Sequence, residues 1–217
     1  MTFATESIHD FPSVLAELDI NPSKLGCVML PVRFDRRLLG RLYAYEPHLE
    51  GALYTSPEPE RFWIRGDVTA DAHITLLYGL LRPAWEQQDL VYRLLGDWRR
   101  PAMLPVRGYD AFPSPYENEP YRCIVARIGD PDGVLAEAHA RLSYLPHVDT
   151  HPTYLPHATV AYVHDRAADR WLEALNDRHI VGSHFVDVVR PGPIPALRGQ
   201  PAPVPDFVPA FDLGRAE

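Results

Sequence analysis

The stretch 72–80, "AHITLLYGL", sets His73 and Thr75 into an otherwise apolar run, with Tyr78 three residues further on. The same arrangement returns in 155–163, "LPHATVAYV", where His157, Thr159 and Tyr162 stand at identical offsets. Both runs are short and rich in β-branched and aromatic residues, which reads as strand rather than helix. In a strand, residues i and i+2 share a face, roughly 6.6 Å apart. His73 and Thr75 therefore look one way together, as do His157 and Thr159. The flanking Ile74, Leu76, Ala158 and Val160 look into the core, and strict alternation puts Tyr78 and Tyr162 on that core side too.

Ten histidines and eight threonines in 217 residues supply about 0.4 His-x-Thr tripeptides by chance, so context has to separate signal from accident. A third copy, His151 to Thr153, holds Pro152, which removes a ladder hydrogen bond and argues against a central strand. Around the two remaining copies the chain reads as a repeat. Strand 25–32, a helix that starts at 34 and ends near Pro47, and the first His/Thr strand are followed by a helix from Pro83 to Trp98, where Pro83 suits a first turn. Two strands within 103–129 flank a Gly/Pro/Asp/Asn loop. A helix over 131–145, the second His/Thr strand, a helix over 166–178 and a closing strand over 182–190 complete the body. Two similar units, each unable to bury its sheet face alone, are expected to pack as a pseudo-symmetric pair with a groove between them. Residues 1–25 read as a helical extension with a short helix over 11–19, 26–190 as the functional domain, and 191–217, with seven prolines, as an extended tail. The segment 54–71 reads as an insert, mostly loop, with one short strand near 61–65.

A formal charge of -8 excludes a broad electrostatic footprint on duplex nucleic acid, which requires many Lys and Arg to displace counterions. A small anionic ligand or one end of a strand fits this charge. No run approaches the length of a membrane span and the N-terminus has no basic segment leading into an apolar one, so the reading is a cytoplasmic protein. Cys27 and Cys123, the two cysteines, sit in apolar stretches as small core residues.

Two histidines and two hydroxyls converging on one small volume suit acid–base chemistry at phosphorus. A neutral imidazole accepts a proton while a charged one donates. The threonines donate to the non-bridging oxygens, where negative charge is held. No metal or other cofactor is required. His147, Asp149, His151 and His157 are nitrogen and carboxylate donors of the kind zinc takes, but their proline-rich loop lacks a ligand spacing and reads as surface. Arg33, Arg65, Arg122 and Arg127 are candidate phosphate contacts by charge alone. Phe112, Tyr116 and Tyr154 are loop aromatics suited to stacking on a base.

The two motifs resemble those of the two-histidine (2H) phosphoesterase superfamily, in its LigT or 2′-5′ RNA ligase-like branch. "HITLLYGL" (73–80) is similar to that branch's His-x-Thr-Leu-x-Phe-Leu-Gly, with Tyr78 in the aromatic place and Gly79 one residue early. "PHATVAYV" (156–163) is similar to its Pro-His-x-Thr-Leu, with Val160 for Leu. "GYDAFPSP" (108–115) resembles its Gly-x-x-x-Phe-Pro segment. The resemblance runs from about residue 26 to 190 and implies an α+β fold that is bilobal and pseudo-symmetric, with two antiparallel sheets facing a central cleft and helices on the outside. It implies His73 and His157 as acid and base, Thr75 and Thr159 as phosphate ligands, and a substrate that is a nucleotide or RNA end with a 2′-linked or cyclic phosphodiester. Two alternatives stand beside it: an enzyme opening cyclic oligonucleotide immune signals, and a protein that binds nucleotides without cleaving them.

Overall fold

Alternating apolar residues along six segments produce six strands, and their hydrogen bonds join all of them into one antiparallel sheet. In the computed structural model, residues 25–61, 64–68, 71–82, 84–114, 116, 118–149, 153–177 and 185–188 are described. The expected helix over 11–19, the proline-rich tail and His151 lie outside these residues. The strands are β1 (Gly26–Phe34), β2 (Asp71–Leu80), β3 (Met103–Pro113), β4 (Tyr121–Ile128), β5 (His157–His164) and β6 (Phe185–Val188). Among the described residues four α-helices accompany them: α1 (Arg36–Tyr45), α2 (Gln88–Leu95), α3 (Val134–Leu142) and α4 (Ala168–Asn176).

The sheet order is β1-β2-β5-β4-β3-β6, closing back on β1. This corrects the expectation of two separate sheets. The short strand β6 pairs with β1 through Val32↔Val188 to Phe34↔Val186 and with β3 through Met103↔Asp187 to Pro105↔Phe185. It thereby covers two edges that would otherwise present unpaired backbone groups. On the opposite side, the two His/Thr strands β2 and β5 are direct neighbours joined by the pair Ile74↔Ala158. Beyond that pair they part, and other segments take their place. Leu53 and Val68 bridge to Val163 and Ala161 of β5, while His147 bridges to Leu80 of β2. The insert thus runs along β5 rather than standing apart from the fold.

The core lies between the outer face of the sheet and the helices. Ile74, Leu76 and Ala158 are 0% exposed, and they join Leu42 of α1, Val91 of α2, Leu135 of α3 and Trp171 of α4 in one cluster. Helix α1 starts at Asp35, whose carboxylate accepts from the Arg37 amide at 2.8 Å and satisfies one of the first-turn donors. Trp171 donates its indole N–H to the Leu49 carbonyl at 3.2 Å, which satisfies the one polar atom of a fully buried ring.

Two irregularities decide which side chains reach the other face. On β2, Val28 pairs with Leu77 and Met29 with Thr75, so Leu76 is an extra residue with no partner on β1. On β5, Ile124 pairs with Ala161 and Val125 with Thr159, so Val160 is the extra residue. Each is a β-bulge immediately after the motif threonine. A bulge shifts the in/out alternation by one. Two successive residues then face the core, Leu76 with Leu77 and Val160 with Ala161, all 3% exposed or less. Tyr78 and Tyr162 consequently turn to the side of the histidines, which corrects the expectation from strict alternation.

Candidate active site

Because β2 and β5 run antiparallel, the pair Ile74↔Ala158 fixes what surrounds it. The residues that flank this pair are His73 and Thr75 on β2 and Ala158's neighbours His157 and Thr159 on β5. Ile74 and Ala158 point into the core, so all four neighbours point the opposite way, onto the sheet face without helices. All four are partly buried. The two motifs thus meet at one pair, with both histidines and both threonines on the same face.

The two imidazoles are close enough for their charges to repel. Burial, followed by repulsion from His157, lowers the pKa of His73 from the usual 6.5 to about 4. Burial also lowers that of His157, opposed by a hydrogen bond to the Leu155 carbonyl. That bond runs from Nδ1 over 2.9 Å. A carbonyl only accepts, so Nδ1 carries the hydrogen and Nε2 is left to gain or lose the second proton. The Phe112 ring stands edge-on to the His157 ring, centroids 5.1 Å apart, and braces its plane.

The walls come from neighbouring strands. Cys27 of β1 lies opposite Tyr78, and Cys123 of β4 lies opposite Tyr162, so both repeats carry the same cross-strand pair. Tyr116 approaches Tyr78, Tyr121 and Tyr162, and with Tyr54, Ile64 and Tyr121 it forms a second, smaller apolar cluster. Arg61, from the insert, lies over the Tyr116 ring at 3.7 Å and pairs with Glu119, a carboxylate 3% exposed.

The bulge in β2 leaves carbonyl groups that need donors. His139 Nδ1 donates to the Leu76 carbonyl at 2.7 Å, and the Tyr154 hydroxyl donates to the Thr75 carbonyl at 3.2 Å. The two rings stack on one another with centroids 4.3 Å apart and planes 4° from parallel.

Of the aromatic candidates, Phe112 and Tyr116 are therefore brought to the histidines and tyrosines. Tyr154 is packed against the main core, with one ring face covered by His139. Arg122 lies opposite Val163 on the core-side parity of β4, and its Nε is 2.6 Å from Asp165 Oδ1. Arg127 lies in register with His157, Arg33 with Asp71 and Asp187, and Arg65 is exposed in the loop before β2. His147 donates Nδ1–H to the Leu145 carbonyl at 2.8 Å, and among the described residues no group of three or more His, Cys, Asp or Glu side chains is arranged to hold a metal ion. Sequence reasoning placed the two tyrosines on the wrong face and did not single out Arg61 or Glu119. The paired apolar residues Leu76-Leu77 and Val160-Ala161 were the available sign of the bulges.

No protein-family model and no curated protein matches this chain. Among solved structures, it is similar to Kluyveromyces marxianus Usb1. The structure of that protein with uridine monophosphate aligns at a TM-score of 0.44 and 10% identity, over 73% of this chain and 87% of that one. A second structure of the same protein aligns at 0.42 and 11%, over 75% and 85%. Among the described residues, no helix is long and apolar enough to cross a membrane.

Proposed function

We propose that this chain is a two-histidine phosphodiesterase that hydrolyses a 2′-linked or cyclic phosphodiester of a nucleotide or RNA end. The observation that carries the reading is the single pair Ile74↔Ala158, about which both His/Thr motifs gather on one face. The nucleotide class comes from the resemblance of the two motifs to that superfamily. The charge of -8 favours a short substrate over a long polyanion.

The differing environments of the histidines favour distinct roles for them. His73, held down to about 4, is neutral near pH 7 and acts as the base. His157, whose imidazolium the Leu155 carbonyl supports, acts as the acid through Nε2. In the reaction, water attacks phosphorus as its proton passes to His73. The bond from phosphorus to the ribose oxygen breaks, and that oxygen takes its proton from His157. The hydroxyls of Thr75 and Thr159 donate to the two non-bridging oxygens throughout. The negative charge of the bound diester raises both imidazole pKa values, which loads His157 with the proton it must give.

Incubation with 2′,3′-cyclic AMP, a 2′-5′ dinucleotide and a cyclic dinucleotide in EDTA, with products separated by chromatography, tests the reading. Ring opening or cleavage that is insensitive to EDTA and absent from the His157→Ala protein is the expected result. Loss of turnover in EDTA, or nucleotide binding without any turnover, would replace it with a metal-dependent enzyme or a binding protein.

A further inference from the structure

We infer that Tyr162 and Cys123 are positioning residues that hold the Thr159 hydroxyl with its own proton directed at the bound phosphate. The inference rests on the phosphodiesterase reading for its purpose, and on contacts inside the protein for its geometry. Cys123 Sγ lies 3.5 Å from Thr159 Oγ1, a contact in which either atom could donate, and the Tyr162 phenol lies near enough to the Thr159 side chain to interact with it. A threonine hydroxyl has one proton to donate and two lone pairs that accept. Burial raises the Cys123 thiol to about 11 and pushes the Tyr162 phenol up as well, so near neutrality both retain their protons. In the inferred arrangement the thiol S–H and the phenol O–H each donate to Thr159 Oγ1, which fills both acceptor positions. The remaining proton then points away from these two donors, toward the face shared with His73. A threonine without such partners rotates about its Cβ–Oγ1 bond and spends its proton on water. Fixing it beforehand removes that reorganisation from the reaction.

The arrangement is built into the fold at two levels. The bulge at Val160 turns Tyr162 onto the face of Thr159, and the β4–β5 register brings Cys123 opposite Tyr162. The first repeat carries the same parts: a bulge at Leu76, Tyr78 turned to the site, and Cys27 opposite it. The Tyr162 ring also packs edge-on against Tyr121, centroids 5.5 Å apart, so its hydroxyl is held from behind.

Tyr162→Phe keeps the ring and removes only the hydroxyl. On whichever diester the wild type cleaves, it should lower kcat about tenfold, the worth of one hydrogen bond, with KM little changed. Added to Thr159→Val it should cost nothing more, because the group it orients is gone. Cys123→Ala should behave alike, and Cys123→Ser, which keeps a donor, should restore most of the rate. Additive losses, or an unchanged Tyr162→Phe enzyme, would overturn the inference. A second measurement needs no turnover. In a Cys27→Ala background the infrared S–H stretching band belongs to Cys123 alone, and Thr159→Val should move it to higher frequency as the donated hydrogen bond is lost. A band that does not move overturns the inference. Absence of any turnover in the wild type defeats the phosphodiesterase reading instead, and the band then decides the hydroxyl arrangement by itself.

Discussion

Ile74 and Ala158 are paired across the seam between β2 and β5, which brings the motif of His73 and Thr75 against that of His157 and Thr159. Each motif supplies one histidine and one threonine to the shared face, so the proposed chemistry needs both motifs and depends on the seam holding its register.

Removing either imidazole should show this directly. His73→Ala and His157→Ala are each expected to lower kcat by about 10²- to 10⁴-fold, the usual worth of a positioned acid or base, with the fold intact. Circular dichroism and kinetics on the same preparations check both halves of that statement. An enzyme that keeps full activity without one of them is not using a histidine pair.

The pH dependence follows from the direction of the two shifts. The base must be neutral, so kcat/KM rises as pH climbs through the lowered value of His73, about 4. The acid must be charged, so kcat/KM falls as pH rises through the value of His157, which lies below 6.5. A bell with its maximum on the acid side of pH 6.5 is expected. The kcat profile should lie to its alkaline side, since bound diester raises both values. A maximum of kcat/KM above pH 7 contradicts these environments.

Stability should respond to the same burial. Unfolded His73 takes a proton near 6.5, whereas the folded side chain resists until about 4. Between those values the unfolded state binds more protons, so the contribution is fully present above pH 6.5 and is lost as pH falls toward 4. Its size is up to about 3 kcal/mol. Denaturant melts across this range should show the loss, and His73→Asn should shrink it. An identical pH dependence in wild type and variant would separate His73 from the effect.

The clamp on the first bulge offers a separate check. Tyr154→Phe leaves the Thr75 carbonyl without its hydroxyl donor, and His139→Ala leaves the Leu76 carbonyl bare. Each should cost about 1–3 kcal/mol in urea denaturation. Together they should couple rather than add, because the rings stack. Losses that simply sum would mean the two act independently.

Much of this arrangement was legible in the sequence. The offsets of His73, Thr75, His157 and Thr159, read with a two-residue period, already put each pair on one strand face, and the order of strands and helices followed from apolar spacing. The expected faces of Tyr78 and Tyr162 were wrong because a bulge is one extra residue in a ladder, and the partner strand that defines it lies far away in the chain. Closure of the sheet was hidden for a related reason. Phe185–Val188 reads as one more short strand, and nothing local states that it will join both β1 and β3. The insert was equally opaque, since Leu53 and Val68 find their partners about a hundred residues later.

The central claim is that four side chains from two distant motifs act on one phosphorus atom. The most direct measurement is a crystal structure with a nucleoside vanadate, which mimics the five-coordinate phosphorus of the reaction. The account predicts vanadium between His73 and His157, an imidazole nitrogen of each within hydrogen-bond reach of its apical oxygens, and the Thr75 and Thr159 hydroxyls on the equatorial ones. Vanadate touching a single motif, or seated away from the seam at Ile74 and Ala158, would contradict it.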